Sequence, residues 1–179
     1  MKYIVLLRGV NISGRNKVNM SELKEALISK GYFDVITYLN SGNIILQSNL
    51  SRDEIIDDFM KILNSKFNVS VPVFIIEAYK LGDILNNSPE WWGTSNKEIY
   101  DNLIFILPSV TASEVCDVLG EPSSDIEKIS VYNNTIFWSF ELKHYRKANW
   151  WVKTASSNIK DEITIRTANT VKKLLEMSR

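Results

Sequence analysis

The chain has 179 residues, 45% of them apolar and 23% charged, and its 21 basic side chains balance 21 acidic ones. That composition excludes disordered and fibrous chains, and the length suits one domain or two small α+β units of roughly 70 to 90 residues each. A single cysteine, Cys116, and a single histidine, His144, exclude an internal disulfide, a structural zinc site and a four-cysteine iron–sulfur cluster.

From the N-terminus, Tyr3–Arg8 is an apolar run of strand length. It is too short for a signal peptide, and no apolar run in the chain approaches the ~20 residues of a membrane span, so the sequence reads as cytoplasmic and not membrane-bound. A polar loop with two glycines, Gly9–Asn19, follows. Asn19 is an N-cap residue with Glu22 three positions on, Leu23, Ala26 and Leu27 form a helical stripe, and Gly31 is a stop. Phe33–Leu39 and Ile44–Ser48 read as two strands joined by Asn40-Ser41-Gly42-Asn43, a hairpin. The capping box Ser51-Arg52-Asp53-Glu54 opens a helix with Ile55, Ile56, Phe59, Ile62 and Leu63 on one side, and Pro72–Glu77 is the next strand. The order is β-α-β-β-α-β, and residues 1–77 read as one ferredoxin-like unit.

Residues 78–97 read as a connection, with a short helix near Tyr79–Asn87 and then the Trp91-Trp92 pair. Residues 98–179 repeat the order of elements. A strand covers Asp101–Leu107, a helix opens at the capping box Thr111-Ala112-Ser113-Glu114 and stops at Gly120, and strands at Glu127–Tyr132 and Thr135–Phe140 flank the two-residue turn Asn133-Asn134. A helix over Leu142–Thr154, a short strand at Glu162–Arg166 and a last helix over Ala168–Met177 complete a second ferredoxin-like unit with antiparallel sheet and terminal helix.

The zero net charge hides a segregation. Residues 1–30 carry six basic and two acidic side chains, residues 31–140 six and fifteen, and residues 141–179 nine and four. Two basic ends brought together by the fold would attract anions, and Arg8 and Arg166 would then share one.

Three stretches are distinctive: Leu6-Leu7-Arg8-Gly9-Val10-Asn11-Ile12-Ser13-Gly14-Arg15-Asn16-Lys17-Val18, Asn40-Ser41-Gly42-Asn43-Ile44, and Ile163-Thr164-Ile165-Arg166-Thr167-Ala168-Asn169-Thr170. With Trp91-Trp92 and Phe137-Trp138, their sequence and order resemble the bacterial family known as domain of unknown function 1697 along essentially the whole chain. The resemblance implies two ferredoxin-like subdomains and a cytosolic bacterial protein, with no established activity. The chain departs from the family's usual Arg-Asn at Arg166-Thr167.

The residues richest in binding chemistry are Arg8, Asn11, Ser13, Gly14, Asn16 and Lys17, in a strand-to-helix loop whose N–H groups and basic side chains suit an anion. Gly9 and Gly14 match neither the Walker A nor the dinucleotide fingerprint, so a plain polar crossover is the competing reading. Arg166, Asn169 and Thr170 carry the same argument at the last strand–helix junction, against simple capping by Thr167 or Thr170. Cys116 reads as a buried small hydrophobe and His144 as a surface residue. Asp53, Glu54, Asp57 and Asp58 read as a solvated helix face, and at least one ring of each pair Trp91-Trp92 and Trp150-Trp151 as core, the competing reading being stacking on bases or sugars. No catalytic constellation, metal or cofactor is implied. The expected function is binding of a phosphorylated small molecule or nucleic acid; the alternative is a non-catalytic interaction module that self-associates as a homodimer.

Overall fold

Apolar or alternating runs form the strands, and apolar residues recurring every third or fourth position between a cap and a stop form the helices. A computed structural model describes residues 1–179. It places β1 at Lys2–Leu7, α1 at Met20–Lys30, β2 at Phe33–Tyr38, β3 at Asn43–Gln47, α2 at Arg52–Phe67, β4 at Val73–Glu77 and α3 at Ala78–Asn86. Then come β5 at Ile99–Ile106, α4 at Ala112–Leu119, β6 at Glu127–Tyr132, β7 at Thr135–Glu141, α5 at Asn149–Ser156, β8 at Ile163–Thr167 and α6 at Ala168–Met177. No helix is long and apolar enough to cross a membrane.

The first sheet runs β2-β3-β1-β4 and the second β6-β7-β5-β8, each with antiparallel neighbours. This is the ferredoxin-like arrangement twice over. The first strand of each set lies inside its sheet, with Val5 opposite Ile44 and Ile75 in one and Ile104 opposite Ile136 and Ile165 in the other. The chain divides into Met1–Leu81 with Leu174–Arg179, and Gly82–Lys173.

In the first unit, Leu23 and Leu27 of α1 and Ile55, Phe59 and Leu63 of α2 pack on Tyr3, Val5, Leu7, Ile44, Leu46 and Ile75. Burying each aliphatic or Phe side chain is worth about 1.5–3 kcal/mol, so the two helices are held by this face more than by propensity. Asn19 caps α1 by accepting from the N–H groups of Ser21 and Glu22, and Ser51 with Glu54 closes a reciprocal capping box on α2. In the second unit, Val115 and Leu119 of α4 and Trp150 of α5 cover Ile104, Ile106, Ile136, Trp138, Phe140 and Ile163. Thr111 with Glu114 forms the same capping box at α4.

The helix expected over Leu142–Thr154 is two pieces. Leu142–Lys147 is a 3₁₀ segment, Ala148 is extended and fully buried, and α5 starts only at Asn149. The break exists because α5 takes its cap from outside the segment: Glu127 on β6 accepts hydrogen bonds from the N–H groups of Asn149 and Trp150.

Candidate functional site

The Gly9–Lys17 loop is fixed at both ends by the sheet it leaves. Leu7 N–H donates to Gly42 O and Arg8 N–H to Pro72 O, while Val10 and Val18 are buried in the first core. Between them the backbone turns left-handed at Gly9, Asn11, Ser13, Gly14 and Asn16, with φ between 46° and 79°. Three of the five are not glycine, a concentration of unfavourable conformations that ordinary crossovers lack.

Two asparagines hold that shape. The Asn11 amide donates to Val18 O at 2.9 Å and to Asn40 O at 2.7 Å, and its Oδ1 accepts from Val18 N–H at 2.9 Å. Asn16 Nδ2 donates to Gly9 O, and Asn11 N–H to Asn16 O. Of the residues singled out from the sequence, Asn11 and Asn16 thus spend their side chains on the protein, and Arg8 is half-buried. Ser13, Gly14 and Lys17 are exposed, as is Arg15, which the sequence reading passed over although it is a base between Gly14 and Lys17.

Asn11, Gly14, Lys17, Val18, Asn40 and the first residues of α1 line an open groove of about 580 Å³. Arg8, Arg15 and Lys17 carry positive charge on the loop segment, which holds no acidic residue. The α1 N-terminus adds partial positive charge, although Asn19 already satisfies two of its N–H groups. The groove therefore offers one exposed cation at Lys17, a left-handed loop in which only the Asn11 and Arg15 N–H groups are bonded to other loop carbonyls, and a helix dipole of the same sign.

The Asn40–Asn43 turn belongs to the hairpin. Gly42 has φ 76°, and a Cβ there would lie 2.7 Å from both Leu7 Cβ and Val10 Cγ2. Asn43 is fully buried in β3 and donates to Tyr38 O and Ser41 Oγ. In the second unit, Arg166 is buried, and its guanidinium donates to Thr164 Oγ1 at 2.8 Å and Ile165 O at 2.9 Å. Thr167 Oγ1 accepts from Thr170 N–H and bonds the Thr170 hydroxyl, so a threonine caps α6, and Asn169 is exposed.

Cys116 corrects the sequence reading: it is half-buried, at the margin of the stripe formed by Ala112, Val115 and Leu119. Burial pushes its thiol pKa up, and Asp117 and Glu121 add to the rise, so it is a poor nucleophile. His144, expected at the surface, is half-buried with Nδ1 2.8 Å from Glu141 Oε2. Asp58 accepts from Tyr32 Oη and pairs with Lys30. Each tryptophan pair divides, Trp92 and Trp150 being buried while Trp91 is half-buried and Trp151 exposed.

Two buried polar groups of the second unit escaped the sequence reading. Asp101 accepts from the Ser139 hydroxyl across the β5–β7 register. Glu127, 3% exposed, accepts from Ser123, Asn149 and Trp150 N–H and from Trp138 Nε1. The available signal was a carboxylate at a strand position facing the apolar core.

The model of a family described as "Protein of unknown function (DUF1697)" matches residues 1–137. Among solved structures, the chain is similar to a conserved bacterial protein from Streptococcus pneumoniae. The two share 25% sequence identity with a TM-score of 0.86, over 99% of this chain and 98% of that one. No curated protein matches the chain.

Proposed function

The chain belongs to this family of unknown function, and on that premise we propose that it is a binding protein for a phosphate-bearing ligand, held in the groove of the Gly9–Lys17 loop. The observation that carries the reading is the loop itself: five left-handed residues, pinned by Asn11 and Asn16, present Ser13, Gly14, Arg15 and Lys17 to solvent beside a helix N-terminus. Backbone turned this way directs successive N–H groups to one side, where phosphate oxygens accept from them, and a flexible lysine supplies charge without demanding one geometry. Neither glycine is required by packing, since a Cβ at Gly9 or Gly14 would meet nothing within 4 Å. A phosphorylated small molecule and a nucleic acid offer the same phosphate chemistry.

A thermal-shift panel of nucleotides, phosphosugars and short oligonucleotides at low salt separates these sources. A ligand of the native state raises the melting temperature by mass action, by the equivalent of about 2.7 kcal/mol at a hundredfold excess over Kd. The shift is expected to fall with added salt and to vanish in Arg15→Ala/Lys17→Ala, whose exposed side chains are dispensable for folding. A panel without a single shift removes the reading.

A second reading, self-association, rests on Phe33, 65% exposed on edge strand β2. Sedimentation that finds only monomers at high concentration eliminates it.

A further inference from the structure

The surface of the second unit around Trp151 combines features that the loop proposal does not use. Along α5 the adjacent tryptophans diverge: Trp150 turns inward, fully buried, with its indole N–H on Gly120 O, and Trp151 turns outward, 41% exposed. The ring of Trp151 packs against two other aromatic rings. Tyr145 meets it edge-on at 5.5 Å and 84°, and Phe140 packs at 5.5 Å and 60°. Trp92, Trp138 and Trp150 all spend their indole N–H groups on protein acceptors, whereas that of Trp151 makes no hydrogen bond within the chain.

The charge around this ring is mainly positive, with Glu141 at its edge paired to Lys143 at 3.7 Å and to His144 at 2.8 Å. Residues 142–160 contain Lys143, Arg146, Lys147, Lys153 and Lys160 and no acidic residue. Arg146 is tied to the aromatic group, with its Nε donating to Tyr145 Oη at 3.0 Å and its guanidinium 5.6 Å from the Tyr145 ring centroid. Lys143 and Lys147, both exposed, flank it on the same 3₁₀ segment.

We propose that this surface binds single-stranded nucleic acid, with a base stacked on Trp151 and the backbone phosphates on Arg146 and its neighbouring lysines. An exposed ring beside cations is the pairing that unstacked bases and their phosphates require, and a duplex would hide the base faces. A lipid surface fits less well. The exposed apolar residues here besides Trp151 are Leu142 and Val152, and α5 is only eight residues long with its other face committed to the core. The proposal stands apart from the Gly9–Lys17 groove and does not depend on it.

The test is fluorescence anisotropy of labelled dT15 and rU15 at low salt against the wild type, Trp151→Ala, Trp151→Phe, Arg146→Gln and Lys17→Ala. The expected result is binding that weakens by about tenfold or more in Trp151→Ala and is largely retained in Trp151→Phe. Arg146→Gln is expected to flatten the dependence of log K on log salt by about 0.7, the value for one lost single-strand phosphate contact. The loss in Trp151→Ala is expected to persist when Lys17→Ala is added to it, because that site is separate from the loop. Absence of binding to both oligonucleotides, or full affinity in Trp151→Ala, overturns the proposal. So does loss of affinity in Lys17→Ala but not in Trp151→Ala, which places the strand on the loop. Capture of the protein by phosphatidylserine vesicles, with the oligonucleotides left unbound, assigns the surface to lipid instead.

Discussion

The carboxylate of Glu127, on β6, accepts a 2.7 Å hydrogen bond from the backbone N–H of Asn149, the first residue of α5. Trp150 N–H, Ser123 N–H and the Trp138 indole donate to the same group, which is buried. Replacing it by alanine strands three donors, each costing about 1–3 kcal/mol when unpaired in the interior, and leaves the Asn149 N–H only the Ser123 hydroxyl at 3.2 Å. Glu127→Ala is therefore expected to lose about 4 kcal/mol or more, seen as a fall in melting temperature on the order of 10 °C. A loss below about 1 kcal/mol would show that water replaces the carboxylate.

Local signals in the sequence located most of the fold, because caps and periodicity act within a few residues. Asn19, Ser51 and Thr111 stand where the caps were expected, and Asn133 takes the left-handed turn between β6 and β7. The break at Ala148 was illegible because its cause, Glu127, lies on a strand formed earlier in the chain. The loop was legible as a polar segment, but not which of its side chains face outward. That depends on left-handed φ at Asn11, Ser13 and Asn16 and on the bonds of Asn11 to Val18 and Asn40. Arg15 was missed for that reason.

The two capping boxes make stability depend on acid. The Ser51 hydroxyl and then its backbone N–H hold the Glu54 carboxyl below its ordinary pKa, and Thr111 does the same to Glu114. A carboxyl whose pKa is lowered by folding stabilises the fold fully above its unfolded pKa of about 4.3, and that contribution disappears as the pH drops through the lowered value. Urea midpoints of the wild type and of Ser51→Ala/Thr111→Ala should differ most at pH 7, and the gap should narrow towards pH 3 to what the pH-independent cap bonds to the Glu54 and Glu114 N–H groups supply. A constant gap would mean that the carboxylates add nothing.

Burial, assisted by Asp117 and Glu121, keeps Cys116 protonated at neutral pH. Iodoacetamide is expected to label the native protein at pH 7.5 at least about tenfold more slowly than the urea-unfolded chain, with the native rate still climbing above pH 9. Equal rates in the two states would place the thiol in open solvent.

Gly42 combines a left-handed φ with a close approach to Leu7 and Val10. Gly42→Ala brings backbone strain and overpacking together, so a destabilisation of about 2–4 kcal/mol is expected by urea titration. Gly14→Ala has the strain without the contact and should cost about 1–2 kcal/mol. Reversal of that order would contradict the packing of the hairpin turn on the loop.

The loop as a phosphate site is tested most directly by amide NMR of the full chain titrated with inorganic pyrophosphate at low salt. The account predicts saturable shifts of the Ser13, Gly14 and Lys17 amides, reversed by salt and absent in Arg15→Ala/Lys17→Ala, with the Arg15 N–H still held by Ile12 O. Amides in the loop that stay unmoved at saturating pyrophosphate, or shifts that persist unchanged in the double variant, would contradict it.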